Sequence, residues 1–356
     1  MKNNHAIKLM PLTTRLTPYL TKHRLVGLLL AGLLMLSACQ QPNPSIQQTF
    51  YVFGTEVTVH IYDTPAPQAQ AAIHAIEQHF LTMHQAWHAW EPHGWVYQIN
   101  QAIAHDQAIA IPADIQTFIQ QTQQLSARTQ YLFDPGIGGL IALWGFHGRD
   151  WQGPPPSQTE RQAWLDQRPS IADLYFHEQQ LHSHNNQVRL DFGGNLKGLA
   201  VQQAWSILEE HQIPSALINL GGDIGSFSLN ETDTQFWTIQ VRNPKQPNQA
   251  IASLTLPPNL ALFTSGTYQR YFEWDDQRFS HLLNPNTAEP ANSFASASVW
   301  HPDPVIADSL ATALVIAGPT GWQALVNEFA LTHYLLIDQQ NQLIISPALT
   351  SALRQH

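Results

Sequence analysis

From residue 215 onward the chain reads as a succession of short strands, at 215–220, 224–229, 236–241, 251–256 and 261–264, and this constrains its fold more than any other feature. Helical periodicity flanks the strands. Ile73, Ile76, Phe80, Met83 and Trp87, spaced by three and four, place one face of a helix over about 68–89. Further helices are expected at 113–127, over 199–211, and at 305–317 and 320–329. Short strands at 333–338 and 343–345 close the chain. The stretch from Phe50 to Tyr62 alternates like one more strand, broken at Gly54 by a bulge or a close approach. Strands and helices mix without the regular alternation of a doubly wound sheet. The expected class is therefore α+β, a single compact two-lobed domain over 49–350. Gly153-Pro154-Pro155-Pro156 marks a surface loop inside it.

The first residues are a different kind of chain. Lys2, Lys8, Arg15, Lys22 and Arg24 form a basic leader without an acid, followed by an apolar run from Leu25 to Leu36. That run is shorter than the about 20 residues a transmembrane helix needs, and it fits the core of a signal peptide. Leu36-Ser37-Ala38-Cys39 then looks like a bacterial lipobox. On this reading residues 1–38 are a lipoprotein signal peptide, Cys39 is the lipidated N-terminus, and 39–48 is a polar tether. A plain signal peptide, an uncleaved anchor and a small buried cysteine are the alternatives. The expected location is the periplasmic side of a bacterial membrane. The inner membrane is favoured, and Gln40 after the cysteine leaves the outer one open.

Cys39 is the only cysteine, so no intrachain disulfide stabilises the fold. The full chain has 16 Lys+Arg and 26 Asp+Glu; without the five leader cations, 11 face 26. A surface that acidic repels nucleic acid and anionic headgroups. An anionic ligand must then be met locally, by metal, backbone N–H groups or a few chosen cations.

Two runs suggest such a meeting point. Leu190-Asp191-Phe192-Gly193-Gly194-Asn195-Leu196-Lys197-Gly198-Leu199 reads as a short strand ending on an acid, then a Gly-Gly approach, then a lone Lys opening a helix. A Lys opposes the dipole at a helix start, and a phosphate there would suit both; a tight turn alone would also use the glycines. Far downstream, Asp308 and Thr312 lie four residues apart on one helical face. They offer Mg²⁺ a carboxylate and a hydroxyl, although an acid near a helix start and a packed threonine need no metal. Asn219-Leu220-Gly221-Gly222-Asp223 reads first as a hairpin corner. His281, before a turn, is a candidate general base able to titrate near neutrality. His84 and His88 have a zinc-like spacing without the Glu of the protease motif. Trp87-His88-Ala89-Trp90 could stack on a flat ligand or belong to the core. No Walker loop or nucleophile elbow is present.

Taken in order, these motifs resemble the ApbE-type flavin transferases, the FAD:protein FMN transferase family. The matching runs are Phe53-Gly54-Thr55, Phe133-Asp134-Pro135 through Leu143-Trp144-Gly145-Phe146, Leu190 through Gly198, Ala216 through Ile224, Thr264 through Phe272 with Ser280 through Pro285, and Ala307 through Ala313. The resemblance implies Mg²⁺-dependent transfer of FMN from FAD to an acceptor threonine, with release of AMP. It implies acceptors bearing a Ser/Thr-Gly-Ala-Thr-like motif, in sodium-pumping NADH:quinone reductase or Rnf-type complexes. Carried over by position, Asp308, Thr312 and the Gly194 carbonyl would bind metal. Phe53, Trp90, Asp134, Asp191, Lys197 and Leu283 would contact FAD, and His281 would be the base. Phe53 stands where Met is common, Trp90 where Tyr is usual, Asn195 where an apolar or small residue is usual, and Asn284 where an Asp is usual. An FAD diphosphatase giving FMN and AMP, or a flavin-binding lipoprotein without turnover, would share most of these residues.

Overall fold

The computed structural model describes residues 45–148, 154–230, 237–350 and 353–355. Its centre is an eight-stranded sheet in the order Ile46–Val52, Thr55–Tyr62, Ser215–Leu220, Asp223–Ser228, Ala261–Gly266, Phe294–His301, Tyr334–Asp338, Leu343–Ile345. Spatial order equals chain order, and every neighbouring pair is antiparallel. The sheet is a meander into which helices and smaller sheets are inserted, so it needs no crossover connection. The α+β class expected from the strand pattern is the one observed.

Burial explains the strand sequences. Thr55–Tyr62 buries Val57, Val59 and Ile61 and leaves the alternate positions more exposed. Asp223–Ser228 is buried throughout, and Phe294–His301 at every position but the last. Both faces of these central strands are covered. Helices pack on one face, against Phe263, Ala297 and Val299. On the other face Leu262, Trp300 and Leu335 meet a three-stranded sheet of Trp237–Arg242, Ala250–Leu256 and Leu353–Gln355.

The helix expected at 68–89 is Ala66–Trp87, and its five large apolar residues are buried as their spacing required. Each contributes about 1.5–3 kcal/mol by leaving water. The two segments expected at 305–317 and 320–329 are the arms of Pro304–Glu328, which bends where Gly318 takes φ 62° just before Pro319. Among the described residues this is the helix whose length and composition would allow a membrane span. Its Ala307, Leu310, Ala311 and Leu314 are instead fully buried in the core.

Three expectations need correction. Residues 50–62 are not one strand with a bulge. They form a hairpin whose two-residue turn, Phe53 and Gly54, has positive φ at both positions, the geometry whose twist suits paired strands. The first strand begins at Ile46, inside the segment read as tether. No strand ends at Asp191; Arg189 makes only an isolated bridge with Ile137, and the chain there is held by side chains instead. Asn100 Nδ2 donates to the Leu190 carbonyl at 2.9 Å, and the Leu190 N–H donates back to Asn100 Oδ1. The helices Trp95–Ala104, Gly138–Leu143 and Gln158–Gln167 lie outside the sequence expectations, although the first carries Val96, Ile99 and Ile103 at spacings of three and four and buries all three. The leader, the apolar run and Cys39 lie outside the described residues.

The site depends on how closely two helices meet. A Cβ on Gly198 would stand 2.5 Å from the Pro304 carbonyl oxygen and 2.7 Å from Val305 Cα. Only glycine lets Leu196–Glu210 dock so tightly on the start of Pro304–Glu328. Gly198→Ala is expected to cost about 1–3 kcal/mol by overpacking, lowering Tm by several degrees. An unchanged melting curve would show that the helices can part freely.

Candidate active site

The Leu196–Glu210 helix opens toward a buried cluster of charge. Lys197 Nζ pairs with Asp223, which is only 4% exposed. Asp223 Oδ1 also accepts the Thr264 N–H at 2.9 Å. Asp308, equally buried, accepts the Gly198 N–H at 2.9 Å through Oδ2. One turn on, Thr312 Oγ1 lies 2.8 Å from Ser265 Oγ. A Cβ on Gly194 would be 3.9 Å from the same Thr312 oxygen and 3.0 Å from the Phe133 ring. Gly194, Lys197, Asp308 and Thr312, which the sequence places more than a hundred residues apart in two runs, are therefore neighbours.

The charges perturb one another. Burial, reinforced by Asp223, holds the Asp308 carboxyl above the usual carboxylate range, although Lys197 and the Gly198 N–H pull the other way. Burial also opposes the Lys197 ammonium, but Asp223 and Asp308 together outweigh it and keep that group above its ordinary pKa. Asp223 went unrecognised in the sequence because its Gly-Gly turn reads as a corner. The turn is a corner, and a tight one. Gly221 has φ 65°, and a Cβ there would strike Thr55 Oγ1 of the first hairpin. That contact brings the Phe53 turn against the turn that delivers Asp223. Asp223→Ala is expected to leave Lys197 with Asp308 alone and to cost about 2–3 kcal/mol, below the range for a fully buried broken pair because the Lys197 side chain is 29% exposed. A urea midpoint equal to that of the wild type would refute the pairing.

A second group lies around Arg270. Trp90 Nε1 donates to Asp191 Oδ2 at 2.9 Å, so the indole supplies a donor where the usual residue has a phenol. Asp191 Oδ1 accepts the Gly193 N–H. Arg270 is held below its ordinary pKa by burial, with Asp191 opposing that shift. Its guanidinium bonds the Gly148 carbonyl and lies 5.9 Å from the Phe146 ring centre. His281 Nδ1 is 2.9 Å from the Arg270 carbonyl oxygen. A carbonyl only accepts, so Nδ1 carries the proton and Nε2 keeps its lone pair. Burial, with the Arg270 and Lys197 charges, pushes His281 down to about 4. That corrects the expectation of a near-neutral titration: the imidazole is uncharged across the physiological range.

Other residues singled out have structural partners. The Asp134 carboxylate accepts from Ser170 Oγ and from the N–H groups of Gly136 (2.7 Å) and Ile171 (2.9 Å), tying two loops together. Leu283 is buried with Trp144, Phe146 and Phe272 beneath the His281 loop. Phe53 packs its ring 5.5 Å from Phe80 and 5.8 Å from His84. His88 Nδ1 accepts from the N–H groups of Trp90 and Glu91, closing the turn that follows Ala66–Trp87. Among the described residues no three His, Cys, Asp or Glu side chains group as a metal cage. Asn195 is buried and donates to Thr122 Oγ1 at 3.1 Å, away from the charged cluster.

The family description that matches the chain is the ApbE family, over residues 53–335. The chain belongs to the ApbE family. A Rhodobacter capsulatus protein named FAD:protein FMN transferase is 33% identical over 92% of this chain, which spans about three fifths of that relative, 61% of its length. A Haemophilus influenzae protein of the same name is 26% identical over 86% of this chain and 91% of its own. Among solved structures, the ApbE protein of Thermotoga maritima superposes with a TM-score of 0.79 at 24% identity, covering 88% of this chain and all of that one. The apo flavinyl transferase ApbE of Pseudomonas stutzeri gives 0.74 at 23%, covering 88% and 98%. The ApbE fold is thus shared in full by a chain with little sequence in common.

Proposed function

We propose that this chain is an FAD:protein FMN transferase, held by a lipid on Cys39 at the periplasmic side of a bacterial membrane. It moves the FMN moiety of FAD to a threonine hydroxyl of an acceptor flavoprotein and releases AMP. The observation that carries the reading is the cluster of buried Asp223 and Asp308 with half-buried Lys197 and Thr312, close to an uncharged His281. The relatives' names supply the reaction.

The donors suit Mg²⁺. Asp308 contributes one buried carboxylate and Thr312 a hydroxyl, with the Gly194 main chain close by. All are hard oxygens, and too few to enclose an ion, which fits a cation that keeps phosphate oxygens and waters in its shell. When bound, the cation would polarise the phosphoanhydride and neutralise charge on the departing AMP.

The protein's own groups do the rest. Lys197 and the N-terminus of its helix draw the pyrophosphate into the cluster. Trp90 offers a ring to the flavin or adenine of FAD, Leu283 supports the His281 loop from beneath, and Asp191 is oriented by the Trp90 indole. His281 Nε2 takes the proton of the acceptor hydroxyl. The freed oxygen attacks the flavin-side phosphorus in line, the phosphoanhydride bond breaks, and AMP leaves. Acceptors would be subunits of sodium-pumping NADH:quinone reductase or Rnf-type complexes with a Ser/Thr-Gly-Ala-Thr-like motif.

The test mixes the protein, FAD, Mg²⁺ and an acceptor domain carrying that motif, and weighs the acceptor. An FMN adduct that disappears with EDTA supports the transferase. Free FMN and AMP without adduct would make the protein a diphosphatase, and bound but uncleaved FAD would reduce it to a flavin binder.

A further inference from the structure

A cleft of about 650 Å³ opens beside the Tyr271–Trp274 and Gln277–Ser280 hairpin, within the size range of ligand pockets. Two of its wall residues adjoin residues of the reaction centre in the chain. Ser280, on its wall, directly precedes His281. Tyr268, also on the wall, packs so closely on Gly266 that a Cβ there would stand 2.7 Å from its ring. The residue before Gly266 is Ser265, which reaches Thr312.

The wall's charge runs against that of the chain. Both charged lining residues, Lys245 and Arg278, are cations, whereas beyond residue 38 acids outnumber cations 26 to 11. The Arg278 guanidinium lies 3.9 Å from the Tyr271 ring centre and shares its charge with Glu273 through Nε at 3.3 Å and Nη2 at 3.0 Å, leaving its other N–H groups for a ligand. Asn341, on the same wall, has a buried Oδ1 with no hydrogen-bond partner among the described residues. Tyr271 and Trp274 of the hairpin are 41% and 39% exposed. An aromatic, amide-lined and cationic cleft on an acidic protein suits an acidic polypeptide.

Resting on the transferase reading, we propose that this cleft seats an acidic segment of the acceptor, a few residues from its reacting hydroxyl, with Lys245 and Arg278 receiving its carboxylates. An extended segment advances about 3.4 Å per residue, so a flank seated beside Ser280 could lie on the same stretch of chain as a hydroxyl at His281. The same cations would steer an acceptor against the repulsion of an otherwise acidic surface.

The test uses the full chain in detergent micelles and two labelled peptides. Each contains Ser-Gly-Ala-Thr, preceded by Asp-Glu in one and Asn-Gln in the other. Fluorescence polarisation reports binding, intact mass reports the FMN adduct, and flavin fluorescence reports FAD affinity. The acidic peptide should bind about tenfold more tightly at low salt, with the preference shrinking as salt rises. Lys245→Gln with Arg278→Gln, both at exposed side chains, should abolish that preference and leave FAD affinity unchanged. Equal binding of the two peptides by the wild type would overturn the proposal. So would a double variant that loses FAD affinity, since the cleft would then belong to FAD. The two readings fail separately. Charge-selective binding without any adduct would refute the transferase and keep the cleft. An adduct formed with charge-blind binding would do the reverse.

Discussion

Asp308→Asn should lower Mg²⁺-dependent FMN transfer by about 10³-fold while leaving the fold intact. Removing one element of preorganised charge stabilisation costs about 10²–10³ in rate, and loss of a metal's share comes on top. The variant keeps the volume of the side chain and an oxygen to accept the Gly198 N–H, which Asp308 now receives at 2.9 Å. Lys197 retains Asp223 as its ion-pair partner. Burial already disfavours the Asp308 carboxylate, so Tm should fall little or even rise. The comparison needs single-turnover adduct formation over a Mg²⁺ titration, beside a thermal melt. Wild-type rates at saturating Mg²⁺ would remove Asp308 from the metal site.

His281→Ala should reduce transfer by about 10²–10⁴-fold, the usual share of a positioned general base, with FAD affinity within a few-fold of wild type. The pH profile separates this role from a structural one. With its pKa pushed down to about 4, the imidazole has its Nε2 lone pair free at every pH well above that value. It loses this lone pair only as pH falls through that value. Any acid limb due to His281 should therefore appear below about pH 5, not near 6.5. The linkage sign follows from the same shift. A histidine with a lowered folded pKa binds protons more readily when unfolded, so its contribution to stability is lost as pH falls from about 6.5 toward 4. An acid limb centred near 6.5 that vanished in the variant would contradict the lowered pKa of the imidazole.

The two roles differ in how visible they were beforehand. Asp308 and Thr312 share a helical face, a relation set by spacing of four along one helix, and the structure keeps it. Lys197 stood out because a cation at a helix start opposes the dipole. Asp223 had no such signal. Its importance comes from a turn that glycine closes against Thr55, which carries the acid beneath Lys197. The Arg270–His281 contact was equally hidden. The carbonyl and the imidazole it orients are eleven positions apart in the chain, and the hairpin from Tyr271 to Ser280 folds one back onto the other.

Local pattern likewise decided part of the fold. The 3–4 spacing of Ile73, Ile76, Phe80, Met83 and Trp87 specified a helix face, and Gly318-Pro319 specified a break, because both are properties of the backbone and its nearest neighbours. Short apolar runs marked strands at 215–220 and 333–338 for the same reason. Pattern could not distinguish a bulge at Gly54 from a hairpin turn at Phe53–Gly54, since both permit alternating apolar residues on either side. Nor could it find the helices Trp95–Ala104 and Gln158–Gln167. The first has its signal, Val96, Ile99 and Ile103, confined to ten residues, and the second buries none of its residues.

What the sequence determined alone was the kind of chain: an acidic α+β protein with one cysteine and a small set of groups able to meet an anion. Charge, composition and short-range periodicity need no tertiary information. Tertiary structure decided which of those groups act together. It set Gly198 against Pro304, Lys197 between two buried acids, and His281 under the Arg270 carbonyl. Each of these meetings depends on helix docking, turn closure or loop return across tens of residues, and sequence spacing carries no record of that distance in space.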